Sequence, residues 1–200
     1  MRLVVTDLCH EFAGGLPLFS HLSFTLRPGV LTGLVGPSGS GKSTLLSILA
    51  GMEPVKTGRV DRDDVGRIGW IFQSPVGAPR RTAVDQVVFP QVARGLRRAT
   101  AEAEAMRLLD RFQLAHVSDR EFRRLSGGEQ QRLAFARAIA ADFGVLLIDE
   151  PTAQLDPVTA RTVHAVIREL VSDDRIVLVA THDETLRKCC DDVIELAGAV

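Results

Sequence analysis

The chain predicts an α/β fold, a largely parallel sheet covered by helices with a ligand at the carboxyl ends of its strands. Three observations lead there. Short, strongly apolar runs at Val30 to Val35, Val145 to Ile148 and Ile176 to Ala180 each pass into polar residues and then a helical pattern, the alternation of a sheet buried on both faces. The first run feeds a glycine-rich loop, Gly36-Pro37-Ser38-Gly39-Ser40-Gly41-Lys42-Ser43-Thr44. The residues best suited to chemistry, Gln73, Asp149, Glu150 and His182, all stand at the ends of apolar runs, where open α/β sheets bind their ligands.

Taken in order, Arg2 to Cys9 and Leu22 to Leu26 read as strands, followed by Val30 to Val35 and a helix whose first turns cover Leu45 to Ala50. Further strands are expected at Arg59 and at Ile68 to Phe72. Beyond Gln73 the pattern turns helical, around Thr100 to Phe112 and Glu129 to Ala141. In Ser74 to Pro90, the residues Pro75, Gly77, Pro79 and Pro90 disfavour regular structure, Phe72 is expected in the core, and Val87, Val88 and Phe89 supply apolar surface. Asp156-Pro157 has the residue types of an N-cap and first helical position. The last strand is expected over Asp192 to Leu196, close enough to the end to leave no room for a C-terminal regulatory domain.

The glycine-rich loop is suited to a polyphosphate. Its glycines allow backbone angles that let successive N–H groups converge on phosphate oxygens, and the helix N-terminus beyond favours an anion. Lys42 is placed to reach the β and γ phosphates, and Ser43 to offer its hydroxyl to Mg²⁺. A second helix start, Leu125-Ser126-Gly127-Gly128-Glu129-Gln130-Gln131-Arg132, combines a capping box (Ser126 with Glu129) with two glycines, each costing about 1 kcal/mol against alanine in a helix interior. Close approach of the backbone to an anionic ligand is the physical reason to place them there.

These two strings resemble the Walker A and signature motifs of the ABC ATPase family, and further positions follow the same resemblance. Gln73 matches the Q-loop glutamine, Asp149 the Walker B aspartate, Glu150 the catalytic glutamate, Leu155-Asp156 the end of the D-loop, and His182 the switch histidine. Phe12 falls where the family places an aromatic that stacks on adenine, and Ala153-Gln154 departs from the usual D-loop residues. The resemblance implies a RecA-like P-loop NTPase core over residues 1–73 and 143–200, with an antiparallel β subdomain and an inserted α-helical subdomain over 74–142. It implies ATP and Mg²⁺ as cofactors, the metal held by Ser43, Gln73 and Asp149, with Glu150 as general base and His182, Gln73 and Lys42 acting at the γ phosphate. Gly36 to Thr44 and Phe12 would hold the nucleotide, and Ser126, Gly127, Gly128 and Asp156 would complete the site of a second copy in a head-to-tail homodimer. The partners implied are integral-membrane permease subunits, met beside the segment after Gln73, with the chain cytoplasmic and peripheral on the inner membrane face. Compact length and Phe89-Pro90 look like the lipoprotein-releasing, macrolide-efflux and cell-division branch. Alternatives are a mechanical or regulatory ATPase acting on a membrane partner, or a soluble ABC protein of translation or DNA repair, whose two cassettes or long coiled coils have no counterpart here.

Composition narrows the class. The chain has 200 residues, long enough for one domain with an inserted subdomain, and its 24 basic and 25 acidic residues nearly cancel. The arginines of Arg94 to Arg124 alternate with Glu102, Glu104, Asp110, Asp119 and Glu121 and lack interleaved aromatics, so a solvated helical face is expected and no nucleic-acid partner. No run is long enough to span a membrane, and Met1 to Asp7 has no signal-peptide character. Cys9, Cys189 and Cys190 suit neither a disulfide framework nor a zinc site, which points to a reducing compartment.

Overall fold

Five strands form the parallel sheet expected from the apolar runs. The computed structural model describes residues 1–11, 17–153 and 155–197. Within them β1 (Arg2–Glu11), β2 (Pro17–Leu26) and β4 (Thr57–Asp63) make an antiparallel sheet in the order β2-β1-β4. The parallel sheet runs β5 (Ile68–Ile71), β6 (Val145–Asp149), β7 (Ile176–Thr181), β3 (Leu31–Val35), β8 (Asp192–Glu195). Strand composition explains the burial on both faces. In β6, Val145 and Leu147 join a core with α1 (Lys42–Ala50) and the antiparallel sheet, while Leu146 and Ile148 join the opposite core. Ile176, Leu178 and Ala180 of β7 alternate with Val177 and Val179 in the same way, as the two-residue period of a strand requires.

The opposite core is filled by α2 (Ala83–Ala93), α3 (Arg98–Arg111), α4 (Gly127–Ala141), α5 (Pro157–Glu169) and α6 (Glu184–Cys189). Ala101, Ala105 and Leu109 put the buried side of α3 on one face at helical spacing. Two short 3₁₀ turns, Ala115–Val117 and Phe122–Arg124, connect α3 to α4.

Helix α2 corrects the expectation of irregular structure up to Pro90. Thr82 caps it by accepting from the Asp85 N–H at 3.2 Å, and Ala83, Gln86, Val87, Val88 and Gln91 are buried along it. Pro90 removes one N–H and crowds the carbonyl four residues back, yet only one turn follows it, and burial of this face outweighs the local cost. Val87 and Val88 are therefore core, whereas Phe89 is 72% exposed. Phe72, expected in the core, is on the surface and stacks on Trp70 with ring centroids 4.8 Å apart.

Gly69 shows how closely the two layers approach. A Cβ there would lie 2.2 Å from Cδ2 of Phe143, the residue that leads from α4 into β6. Gly69→Ala should therefore overpack the β5 contact and cost about 1–3 kcal/mol. Urea unfolding, with its midpoint lowered and its slope unchanged, is the check.

Candidate functional site

Local sequence forces the shape of the loop after β3. Gly41, with φ +94, caps α1 in the left-handed region, and a Cβ there would lie 2.5 Å from Cγ of Leu18 on β2. Both constraints call for glycine. Lys42 opens α1 and is 8% exposed, and its Nζ donates to the carbonyl oxygens of Gly36 (2.9 Å) and Pro37 (3.2 Å). The loop thus curls around its own lysine.

Across from the loop stand the ends of β5, β6 and β7. The Glu150 N–H donates to Ala180 O at 2.9 Å, one step beyond β6. There the chain turns, with φ +43 at Glu150, although a residue before proline ordinarily stays extended. The reason is that Pro151 and Thr152 are buried directly after the last strand bond, and the Ala153 N–H returns to Glu150 O at 3.3 Å. A left-handed non-glycine residue costs on the order of 1–3 kcal/mol, and here it aims the carboxylate at the loop. Glu150 Oε1 lies 3.5 Å from Lys42 Nζ, and Oε2 accepts from His182 Nδ1 at 2.8 Å and from the His182 backbone N–H at 3.3 Å. Since a carboxylate only accepts, the contact requires a proton on Nδ1 of His182.

Asp149, at the end of β6, is 7% exposed and receives a hydrogen bond from Ser43. Burial pushes its pKa above the usual carboxylate value; the Ser43 hydrogen bond pulls it back, the Glu150 charge adds to the rise and Lys42 opposes it. Its Oδ1 is buried and has no hydrogen-bond partner among the described residues. A lone carboxylate with a free oxygen beside a hydroxyl suits Mg²⁺, which keeps waters and binds substrate phosphates. No cage of three or more His, Cys, Asp or Glu residues exists among the described residues, and such a site needs none.

Ser38, Gly39, Gly41, Lys42, Ser43 and Thr44 line a cavity of about 590 Å³ together with Gln73, Glu150 and His182. Leu18 also lines it, a residue that nothing in its own sequence neighbourhood marks. Ser126, Gly127, Gly128 and Asp156 are not among the lining residues and form a second cluster. Ser126 Oγ accepts from the Glu129 N–H at 3.3 Å and donates to Glu129 Oε2 at 2.9 Å, while the Ser126 N–H donates to the same oxygen at 2.7 Å, completing the expected capping box at Gly127. Burial alone would raise the Glu129 pKa, but the Ser126 hydrogen bonds and the charges of Arg120 and His116 hold it below the usual range. Asp156 caps α5, accepting from the N–H groups of Val158 (3.0 Å) and Thr159 (3.1 Å). Hydrogen bonds from Thr159 lower its pKa. The α4 and α5 starts adjoin, since a Cβ on Gly128 would lie 3.4 Å from Thr159 Cγ2. Phe12 and Gln154 lie outside the described residues.

Sequence reasoning also passed over Asp183, which caps α6 by accepting from the Thr185 N–H at 2.7 Å. Its signal was available: an Asp before Glu184-Thr185-Leu186 is an N-cap pattern.

A phosphate-shaped loop between a buried parallel strand and a helix, facing carboxylates at neighbouring strand ends, defines a P-loop nucleotide-binding domain. The sequence model of the ABC transporter family matches residues 19–153. The chain belongs to that family. It is 39% identical, over 98% of its length, to an uncharacterized ABC transporter ATP-binding protein of Mycobacterium tuberculosis, and spans 65% of that protein. It is 41% identical to the lipoprotein-releasing system ATP-binding protein LolD of Maricaulis maris, covering 92% of this chain and 88% of LolD. Among solved structures it is similar to a dimeric ATP-binding cassette in a post-hydrolysis state bound to ADP and Pi, with TM-score 0.83 and 26% identity over 97% of this chain and 94% of the other. It is also similar to cbiO1 of Clostridium perfringens, part of the ABC transporter complex cbiONQ, with TM-score 0.84 and 26% identity over 99% and 86%.

The raised pKa of Asp149 has a definite sign for stability. The unfolded chain ionises this group first, so stability falls as pH rises from the unfolded to the folded pKa, and the full penalty remains above both. Asp149→Asn should therefore raise Tm at pH 7 in nucleotide-free protein, at about 2–4 °C per kcal/mol recovered, and the gain should shrink toward acid pH. Thermal scans of both proteins from pH 4 to 8 measure it, and a lower Tm at pH 7 would contradict the assignment.

Proposed function

We propose that the chain is the ATP-binding and ATP-hydrolysing subunit that powers a membrane ABC transporter, working by ATP-driven pairing of two nucleotide-binding domains. The observation that carries this reading is the Glu150 carboxylate, held between Lys42 and His182 at the mouth of the loop cavity. On binding ATP, Lys42 exchanges the Gly36 and Pro37 carbonyls for β and γ phosphate oxygens, while the loop N–H groups and the α1 terminus hold the remaining charge. Mg²⁺, when bound, supplies charge neutralisation for the phosphates, and Ser43 and Asp149 would hold it, with Gln73 at its water shell. Glu150 accepts the proton of the attacking water, and His182 holds both Glu150 and the γ phosphate. The phosphoryl group passes to that water, giving ADP and phosphate.

The second cluster explains why two copies are needed. A Cβ at Gly127 would meet nothing and one at Gly128 only ordinary contacts, so packing within the described residues does not call for this glycine pair. Approach by the nucleotide of a second copy does. Ser126, Gly127, Gly128 and Asp156 then complete the partner's site in a homodimer, in keeping with the dimeric state of the similar cassette. No helix among the described residues is long and apolar enough to cross a membrane, and the reading assigns that task to permease subunits, with this chain on the inner membrane face. Identity to LolD supports the lipoprotein-releasing branch. The permease contact is placed at a groove of about 790 Å³ between the end of β5, the segment after Gln73, α2 and α4, where Phe72, Val76 and Phe89 are exposed.

Glu150→Gln should bind ATP normally and lower turnover by about 10² to 10⁴, and ATP should hold it as a dimer visible by light scattering. Hydrolysis within tenfold of wild type would remove Glu150 as the base.

For the partner surface, Phe89→Asp should weaken capture of detergent-solubilised permease while leaving ATP affinity and Tm unchanged. Val88→Asp, at a buried position, should instead unfold the helical layer. Unaltered capture by Phe89→Asp would place the contact elsewhere.

A further inference from the structure

The carboxylate of Asp183 joins three elements of the site. Its Oδ1 faces α6 as the cap, accepting from the N–H groups of Thr185 (2.7 Å) and Leu186 (3.4 Å). Its Oδ2 accepts from the Thr152 hydroxyl at 3.3 Å and lies 3.1 Å from Nε2 of His164 on α5. The Asp183 N–H is fixed in turn by the Thr181 hydroxyl at 3.0 Å. One carboxylate, on the residue directly after His182, thus meets the turn that follows Glu150 and the helix that Asp156 caps through Oδ2, and the start of α6 through Oδ1.

His164 is the unexpected member. It is 8% exposed and sits among Val163, Val166 and Ile167 on the buried face of α5, where an apolar residue would satisfy the pattern. Burying an imidazole there is costly unless a polar partner compensates it, and Asp183 is that partner. Nε2 makes no hydrogen bond at this distance, so the pair acts as a short-range electrostatic contact. Burial alone would raise the Asp183 pKa, but the Thr185 and Leu186 N–H groups, the neighbouring His164 and the Thr152 hydroxyl hold it below the usual carboxylate value.

We propose that His164 is a positioning residue: through Asp183 it sets the backbone at His182, and with it the His182–Glu150 contact, against the helix that Asp156 begins. A displacement of α5 at the seam between two copies is thereby transmitted to the groups at the γ phosphate. This rests on the reading of Glu150, His182 and Asp156 given above.

The test compares His164→Leu, which keeps volume and removes both ring nitrogens, with His164→Gln, whose amide can reach where Nε2 stood. His164→Leu should lower kcat for ATP by roughly tenfold to a hundredfold, as misplacement of catalytic groups does, with KM within about twofold. His164→Gln should recover most of that loss. The nucleotide-free full-length chain gives a readout independent of hydrolysis, the His182 ring Cε1 resonance, which should move in His164→Leu and return in His164→Gln. Wild-type kcat and an unmoved His182 resonance in folded His164→Leu would reduce His164 to core packing and overturn the proposal. Wild-type protein without ATPase activity would instead defeat the functional reading, and the resonance would still decide the positioning claim. If His164→Leu does not fold, Thr152→Val removes the other contact to the same oxygen; a kcat loss at constant KM supports the junction, and unchanged kcat with an unmoved His182 resonance overturns it.

Discussion

Burial of the parallel sheet on both faces is the constraint on which the rest depends. With β6 and β7 feeding alternate side chains into two separate cores, a polar residue within either strand would be enclosed without water. Polar chemistry is therefore pushed to the strand ends. Asp149 is the limiting case, at the last position of β6, buried with a raised pKa and an oxygen that lacks a hydrogen-bond partner among the described residues. The sheet thus concentrates the proposed metal ligand, base and γ-phosphate contact along one edge, opposite the loop after β3.

That edge is held by strain and by long-range ties. Glu150 adopts a left-handed backbone that its sequence does not favour, and it is kept there by a strand bond to Ala180 on one side and a buried proline on the other. Its carboxylate then bridges the lysine of one loop and the histidine of another, residues more than a hundred positions apart in the case of Lys42 and Glu150. The Asp183 junction behind them ties the same edge to α5. Capping groups carry much of this work, since Ser126, Asp156 and Asp183 each hold a helix start in the region proposed to act.

The parts legible from sequence were those with a local physical signature. The loop after β3, the capping box at Ser126 and the Asp156-Pro157 helix start depend on neighbours within a few residues, and the apolar runs of β6 and β7 declared their strands. The segment after Gln73 was not legible in the same way. Its prolines predicted a loop through Pro90, but the burial of Gln86, Val87, Val88 and Gln91 against α3 and α4 carries a helix through Pro90. The tertiary structure reversed three exposures, taking Val87 and Val88 into the core and leaving Phe72 stacked on Trp70 at the surface. Leu18 lines the cavity because β2 passes over Gly41, a proximity that no window of sequence contains.

By itself, then, the sequence determined the sheet class, the phosphate-shaped loop, the helix starts and the residue types along the strand ends, because each follows from backbone preference, periodicity or a cap contained in one short segment. Only the tertiary structure decided which of these groups meet. Lys42, Glu150 and His182 converge because β3, β6 and β7 are neighbours in the sheet, while Ser126 and Asp156 share a different surface because α4 and α5 begin side by side. The left-handed turn at Glu150 and the buried His164 beside Asp183 belong to the same class: each is locally unfavourable and is maintained by contacts from segments distant in the chain.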